Sequence, residues 1–275
     1  MSRSAFRTGN EWKRTLVIAL LSLLFLLPFV FLGLGSLRDP TILPKRGFDL
    51  VPDFLYFSNY KDVFAFAPLW TFMRNSLFVV LIAVPVTVLV ASWAGFAIAR
   101  AEPRRRRRLI VLSLLALMVP ATLLWIPRFV MFKWLGVLDS PWPLIAPALM
   151  ATTPFYVLLF ALVYARIPKS LYEAAELDGL SPLAVWRRVA FPLGKPAVFA
   201  VAVLAFAWHW SNFFDPLIYL STPEKYTLPM GLRGLGALEP RLYPVLLAGS
   251  VIAAAPPVIA FLAAQRAFFT RTLEV

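Results

Sequence analysis

Asn75–Ala99 reads NSLFVVLIAVPVTVLVASWAGFAIA, 25 residues without one ionisable side chain. At about 1.5 Å per helical residue it is longer than the ~30 Å hydrocarbon core of a bilayer. Five more stretches share the property: Thr15–Leu37, Leu109–Pro127, Ser140–Ala165, Pro196–Phe214 and Leu242–Gln265, of 23, 19, 26, 19 and 24 residues. Over all 275 residues, 60% are hydrophobic and 15% charged, against about 25% charged in soluble domains. A soluble bundle of such helices would have no polar face for water. The fold class is therefore all-α, a polytopic membrane protein with six transmembrane helices near 16–37, 72–99, 109–127, 142–165, 197–220 and 243–265.

The charges between the spans set the orientation. Residues 1–15, 100–108, 166–195 and the tail after 265 carry 17 of the 27 Lys and Arg but only six of the 14 acids. Net charge is then about +11 on that side and +2 on the other. The positive-inside rule puts these segments, and both termini, in the cytoplasm. Arg104–Arg108 is the strongest single orienting run. The expected layout is a cytoplasmic N-terminus at 1–15, a transmembrane domain at 16–266 with an inside loop at 166–196, and a cytoplasmic tail at 267–275. The first apolar run is too long for a cleaved signal's h-region and is expected to stay as an anchor.

Composition excludes several kinds of chemistry. The chain has no cysteine and one histidine, His209. Thiolate catalysis, disulfides and a His-based metal cluster are ruled out. The net charge of +13 is accounted for by topology, and no aromatic-basic module for nucleic acid accompanies it. Prolines are frequent within the spans, among them Pro28, Pro85, Pro120, Pro147, Pro154, Pro256 and Pro257. Each removes a helical N–H and favours a kink, as in a packed bundle whose neighbouring helices re-satisfy the freed carbonyls.

The loop 166–196 is patterned. Ser170 with Glu173 has capping-box spacing and predicts a helix from Leu171. Gly179 stops or bends it. Ser181-Pro182 is a second helix start. Val185, Trp186 and Val189 follow at helical spacing, and Pro192 ends the segment. Two short helices bent at a glycine, with an apolar and acidic surface, would suit a partner's groove.

This pattern resembles the EAA loop of permease subunits of binding-protein-dependent ABC importers. The matching residues are Glu173-Ala174-Ala175, then Gly179, then Val189, Phe191 and Pro192. Val189 and Phe191 stand where the family usually has isoleucine and leucine, and Asp178 beside Gly179 matches the sugar-importer form. Asn75-Ser76, Pro120, Pro127, Leu135-Gly136 and Ile167-Pro168 are also similar to that family. Trp210-Ser211-Asn212-Phe213-Phe214-Asp215-Pro216-Leu217 looks like the signature of maltose-type carbohydrate permeases, with Ser211 replacing the usual asparagine. The tail Arg-Thr-Leu-Glu-Val departs from the family's glycine-rich ending.

The resemblance implies an ABC importer permease fold in a prokaryotic inner or plasma membrane. It implies import of a mono- or oligosaccharide from an extracytoplasmic binding protein, with a second permease as heterodimer partner and a cytoplasmic ATPase dimer. The chain lacks a Walker A run, since Gly194-Lys195-Pro196 has neither the upstream glycine nor the hydroxyl. It is therefore expected to be no enzyme and to bind no cofactor, with ATP and Mg used by the partner. Coupling to that ATPase would fall to Glu173, Ala174, Ala175, Asp178, Gly179, Val185, Val189 and Pro192. Glu173 would be the anionic anchor, and Val185 and Val189 would fill the ATPase's groove. Trp210, Asn212, Phe213, Asp215 and Pro216 would line the sugar path, by ring stacking and by hydrogen bonds to hydroxyls. Gly231, Gly234 and Gly236, in an outer loop at 221–241, would meet the binding protein, and the outer loop 38–69 would add surface. An importer of another small solute, such as glycerol phosphate or an amino sugar, would differ only in the lining. A secondary transporter would need buried acid–base pairs, for which Asp215 is the single weak candidate. A membrane enzyme would need a catalytic cluster that the residues do not supply. Membrane lipid is the expected surrounding, with no nucleic acid partner.

Overall fold

The computed structural model describes residues 11–42, 51–52, 54–238 and 242–269. The expected N-terminal segment up to residue 10 and the tail beyond 269 lie outside them. Among the described residues the elements are helices and turns, with no strand. The helices are α1 (Glu11–Ser36), α2 (Asn59–Phe66), α3 (Leu69–Arg100), α4 (Pro103–Met118), α5 (Trp125–Trp134), α6 (Trp142–Ile145), α7 (Pro154–Tyr164), α8 (Lys169–Leu177), α9 (Pro182–Val185), α10 (Phe191–Leu193), α11 (Lys195–Trp210), α12 (Phe214–Tyr219), α13 (Leu228–Leu238) and α14 (Tyr243–Phe269). Four helical stretches are long and apolar enough to cross a membrane, and two bent pairs raise the number to six. The chain divides into two compact units, one drawn from Met1–Ala67 and Leu232–Ala253, the other from Pro68–Gly231 and Ala254–Val275.

In the first unit, α1 keeps its apolar surface outward: none of its most apolar window is buried within the chain. Lipid suits that surface. The end of α1 is tied down by polar groups. The Ser36 and Tyr60 hydroxyls lie 2.8 Å apart. The buried Asn59 amide donates to the carbonyls of Ser36 at 2.8 Å and Arg38 at 2.6 Å. These bonds satisfy carbonyls that a helix terminus leaves without an intrahelical partner.

The second unit is organised on α3. Its buried residues, among them Phe72, Ser76, Val79, Ala83, Thr87, Ala91, Ser92, Gly95 and Ile98, recur three or four apart and form one face. Gly95 allows α7 to approach. A Cβ built there would stand 2.5 Å from the Phe160 Cβ and 2.8 Å from the Ala161 nitrogen. Phe160, Ala161 and Tyr164 of α7 are buried in the core beneath.

The third span, expected at 109–127 with Pro120 inside it, is bent. Helix α4 ends at Met118, and a 3-10 turn at Ala121–Leu124 leads into α5, so the two parts bend by 86°. The cause is Pro120. It lacks an N–H and pushes Val119 to φ −76°, ψ 116°, out of the helical region. No residue of α4 is buried within the chain.

The expected fourth span, 142–165, also breaks. A 3-10 turn at Ala146–Met150 separates α6 from α7. At the joint Ala151 and Thr152 take φ values of 60° and 61°, a left-handed conformation uncommon in residues with a Cβ. The expected fifth span, 197–220, is interrupted at Ser211–Phe213 between α11 and α12. Ser211 Oγ donates back to the Ala207 carbonyl at 2.7 Å, and the Asp215 N–H reaches Asn212 Oδ1 at 3.3 Å. Such local side-chain bonds compete with a continuing helix. The second and sixth spans are α3, with Pro85 inside, and α14, with Pro256 and Pro257 inside.

Candidate functional site

The loop between α7 and α11 is mostly helix and turn. Helix α8 starts at Lys169, with Pro168 as N-cap and no side-chain cap bond. The expected capping box of Ser170 with Glu173 does not form, because Ser170 already lies inside the helix. Gly179 turns the chain with φ 76°, a value that glycine adopts without steric cost. Ser181 then caps α9, accepting from the Ala184 N–H at 3.4 Å, with Pro182 at the first helical position.

Pro192 does not end the segment. Trp186–Ala190 forms a π-turn, closed by the Phe191 N–H on the Trp186 carbonyl, and α10 carries Pro192. The wider turn removes the need for the N–H that proline lacks. The bend comes after α10, where the chain turns by 81° into α11. Gly194 there is buried and lies against the Tyr164 ring.

The loop presents Glu173, Ala174, Glu176, Asp178, Gly179 and Pro192 on its surface. Its outward apolar side chains are Leu171, Leu177, Leu183 and Leu193, with Leu177, 89% exposed, and Leu183, 60% exposed, the most open. Ala175 and Val185 point the other way. Val185, 1% exposed, belongs to the core formed with Tyr164, Trp186 and Ala190, and Val189 packs on that core half-buried. This corrects the expectation that Val185 and Val189 fill a partner's groove: their stripe faces their own bundle.

Side chains bind this loop to α3 and α7. Ser92 Oγ, fully buried, lies 2.6 Å from the Tyr164 hydroxyl and accepts from Trp186 Nε1 at 2.9 Å. Tyr172 donates its hydroxyl to the Tyr164 carbonyl at 3.1 Å. Burial pushes the Tyr172 hydroxyl up to about 12; the neighbouring Arg100 charge opposes that rise and Tyr164 adds to it. The Arg100 guanidinium sits 4.8 Å from the Tyr172 ring centre and is ion-paired with Glu176. A cavity of about 670 Å³ opens beside them, lined by Arg106, Arg107, Lys169, Tyr172 and Glu173 among others.

The expected path residues are only partly accessible. Trp210 is buried and stacked on Phe206 at 5.6 Å. Asp215 and Pro216 are buried, and Asp215 accepts from the Asn212 amide at 2.9 Å. Phe213 is half-buried, edge-on to Phe214 at 5.5 Å. Phe214 is the open ring of this segment, 56% exposed and stacked on Trp125 of α5 at 5.4 Å. Sequence reading missed this pair, which joins two spans. It also missed a polar chain across three elements. Thr87 and Thr152 hydroxyls lie 2.6 Å apart, and Thr152 reaches His209 Nε2 at 3.2 Å. Nothing local in sequence announces it, because its members are 65 and 57 residues apart.

On the opposite end, the expected outer loop at 221–241 contains helix α13. Gly231 is buried against Phe72 and serves packing, which corrects its assignment to an exposed docking surface. Gly234 and Gly236 are exposed. The segment leading into α13 is held by α3. The Asn75 amide donates to the carbonyls of Glu224 at 2.8 Å and Tyr226 at 3.0 Å, and Ser76 Oγ accepts from the Leu228 N–H at 2.8 Å. Asp139 completes the clasp. It accepts from the N–H groups of Ser221 and Thr222, the Thr222 hydroxyl and Lys225 Nζ, at 2.6–3.0 Å. The Lys225 ammonium, followed by the Thr222 and Ser221 bonds, holds the Asp139 carboxyl far below the usual carboxylate range.

The chain is thus a helical bundle with broken spans and a packed helical loop between α7 and α11. The model of binding-protein-dependent transport system inner membrane components matches residues 87–272, and the chain belongs to that family. It is 32% identical to the arabinooligosaccharides transport system permease protein of Halalkalibacterium halodurans, over 94% of this chain and 93% of that one. It is 33% identical to the protein of the same description from Bacillus subtilis, over 93% and 92%. The structure is similar to a chain of a bacterial ABC transporter involved in import of the acidic polysaccharide alginate. The TM-score is 0.77 at 22% identity, covering 96% of this chain and 99% of the other.

Proposed function

We propose that this chain is one permease subunit of an ATP-driven importer. The importer moves a carbohydrate, mono- or oligosaccharide, from an extracytoplasmic binding protein into the cytoplasm. The family match over residues 87–272 carries the reading. The carbohydrate class rests on the sugar-transport relatives together with the Trp210–Leu217 segment. A second permease completes the membrane path, and a cytoplasmic ATPase dimer uses ATP and Mg. The exposed acidic turn of α8, with Glu173 outward and Gly179 setting the bend, is the element that meets the ATPase. Leu177 and Leu183, rather than Val185 and Val189, supply its apolar contact. The sugar path runs past the Trp125–Phe214 pair, with Asn212 and Asp215 holding the break behind it. Gly234 and Gly236 fall on the side that meets the binding protein.

Purification of the tagged chain from native membranes in mild detergent tests the reading. We expect a Walker-motif ATPase and a second permease to co-purify, and Glu173→Lys to release the ATPase alone. Recovery of the chain by itself, or as a homodimer without an ATPase, would overturn the proposal.

A further inference from the structure

The loop between α7 and α11 touches a helix that is far from it in sequence. Trp186 donates its ring N–H to Ser92 of α3 at 2.9 Å, and its ring meets Trp93 edge-on at 5.4 Å. Glu176 pairs with Arg100 at the last residue of α3, where Arg100 also caps the Tyr172 ring. Tyr172 in turn packs edge-on to Phe96 at 6.0 Å. Ser92 and Arg100 are two helical turns apart, about 12 Å along the axis. A single attachment leaves a loop free to pivot, whereas two attachments on one rigid helix fix its orientation.

The two attachments differ in kind. The Ser92 hub is buried and the Trp186 N–H has its partner there, so opening it leaves a donor unpaired in an apolar core. The Arg100–Glu176 pair is partly exposed, with side chains 32% and 48% accessible, and alone holds weakly. It stops the free end of α8 from swinging about the hub. Trp186 opens the π-turn, an irregularity that occurs mostly at functional positions in helices.

We infer that Ser92, Trp186, Arg100 and Glu176 are positioning residues that clamp the loop to the inner end of α3. A push from the ATPase then moves α3 with the loop, as one body, instead of flexing the chain at Gly179. This rests on the coupling role proposed above for α8.

The chain has no cysteine, so introduced thiols are unique within it. In the complete complex, with partner cysteines replaced, spin labels on Leu177→Cys and Ala97→Cys report the distance from loop to α3. A third position, Arg74→Cys, reports thiol reactivity at the outer end of α3. In the parent the label distance stays constant on addition of ATP and Mg. The reactivity of Arg74→Cys changes about fivefold or more, the low end of ordinary coupling between sites. Trp186→Phe with Arg100→Gln keeps the ring and the fold, checked by thermal unfolding. It broadens or shifts the distance by about one helical turn, ~5 Å, and abolishes the nucleotide response of Arg74→Cys. With Trp186 intact, Arg100→Glu disturbs the distance and adding Glu176→Arg restores it. A merely structural role would lower thermal stability without separating loop motion from α3 motion. A parent loop that slides about a turn past α3 on ATP, or clamp variants that keep the full response, would overturn the inference alone. A parent complex that contains no ATPase would overturn the coupling reading and the inference with it.

Discussion

The two ends of α3 hold their neighbours by different means. At the outer end, Asn75 and Ser76 bond to backbone groups of Glu224, Tyr226 and Leu228. At the inner end, Ser92 and Arg100 bond to the side chains of Tyr164, Trp186 and Glu176. A bond to backbone needs one particular side chain, because every residue opposite supplies the same carbonyl or amide. A bond between side chains needs two. The outer segment can therefore vary in sequence and keep its place, while the inner loop is matched residue by residue to the helix beneath it.

The largest expected effect tests the inner end. Gly95→Val puts a branched side chain where a Cβ already meets Phe160 and the Ala161 backbone. Overpacking of this kind costs about 3 kcal/mol. Little folded subunit should survive gel filtration in detergent. A variant with unchanged yield and melting temperature would show that α3 and α7 are not tightly held there.

An intermediate effect tests the outer end. Ser76→Ala leaves the Leu228 N–H without its partner and should destabilise by about 1–2 kcal/mol. The subunit should still assemble, with faster hydrogen exchange at Leu228 and the residues after it. Replacing Glu224 should leave exchange there nearly unchanged, since its carbonyl is the group that Asn75 uses. A large loss from that replacement would break the contrast between the two ends.

The smallest effect sharpens it through pH. The depressed pKa of Asp139 means that its clasp stabilises the fold at every pH above the ordinary aspartate value of about 4. The contribution fades as pH falls through the folded value. Asp139→Asn should lower stability by less than about 1 kcal/mol, since the pair is partly solvated and salt screens it. The difference in melting temperature between parent and variant should be flat from pH 8 to pH 5 and shrink only below about 4. A difference that grows on acidification would refute the assignment.

Much of this architecture was legible in the residues. Uncharged runs marked the long apolar helices and bent pairs, and Gly179 with Ser181-Pro182 located a turn and the second start of the loop. What stayed hidden has physical causes. The prolines were visible, but whether Pro120 kinks a helix or ends it depends on the neighbours available to the freed groups. Helical spacing put Val185 and Val189 on one face, but periodicity does not say which neighbour that face meets; the answer is the chain's own Tyr164 and Trp186. The Thr87–Thr152–His209 chain and the Asp139 clasp join residues 57–86 apart in sequence, with no local spacing to betray them. The glycines of α13 were read together as open surface, whereas Gly231 lies under the Phe72 ring.

Helix α3 runs 32 residues without interruption, so it is a rod about 48 Å long. Rods convert angle into distance. If one end is held and the whole turns by about 5°, the far end travels about 4 Å along its arc, more than the span of a hydrogen bond. Asn75 lies about 38 Å along the rod from Arg100, so the same turn about the Arg100 end would carry it about 3 Å, the length of one hydrogen bond. The length of α3 would then work as mechanical advantage: a small tilt at one end would reach the grip at the other.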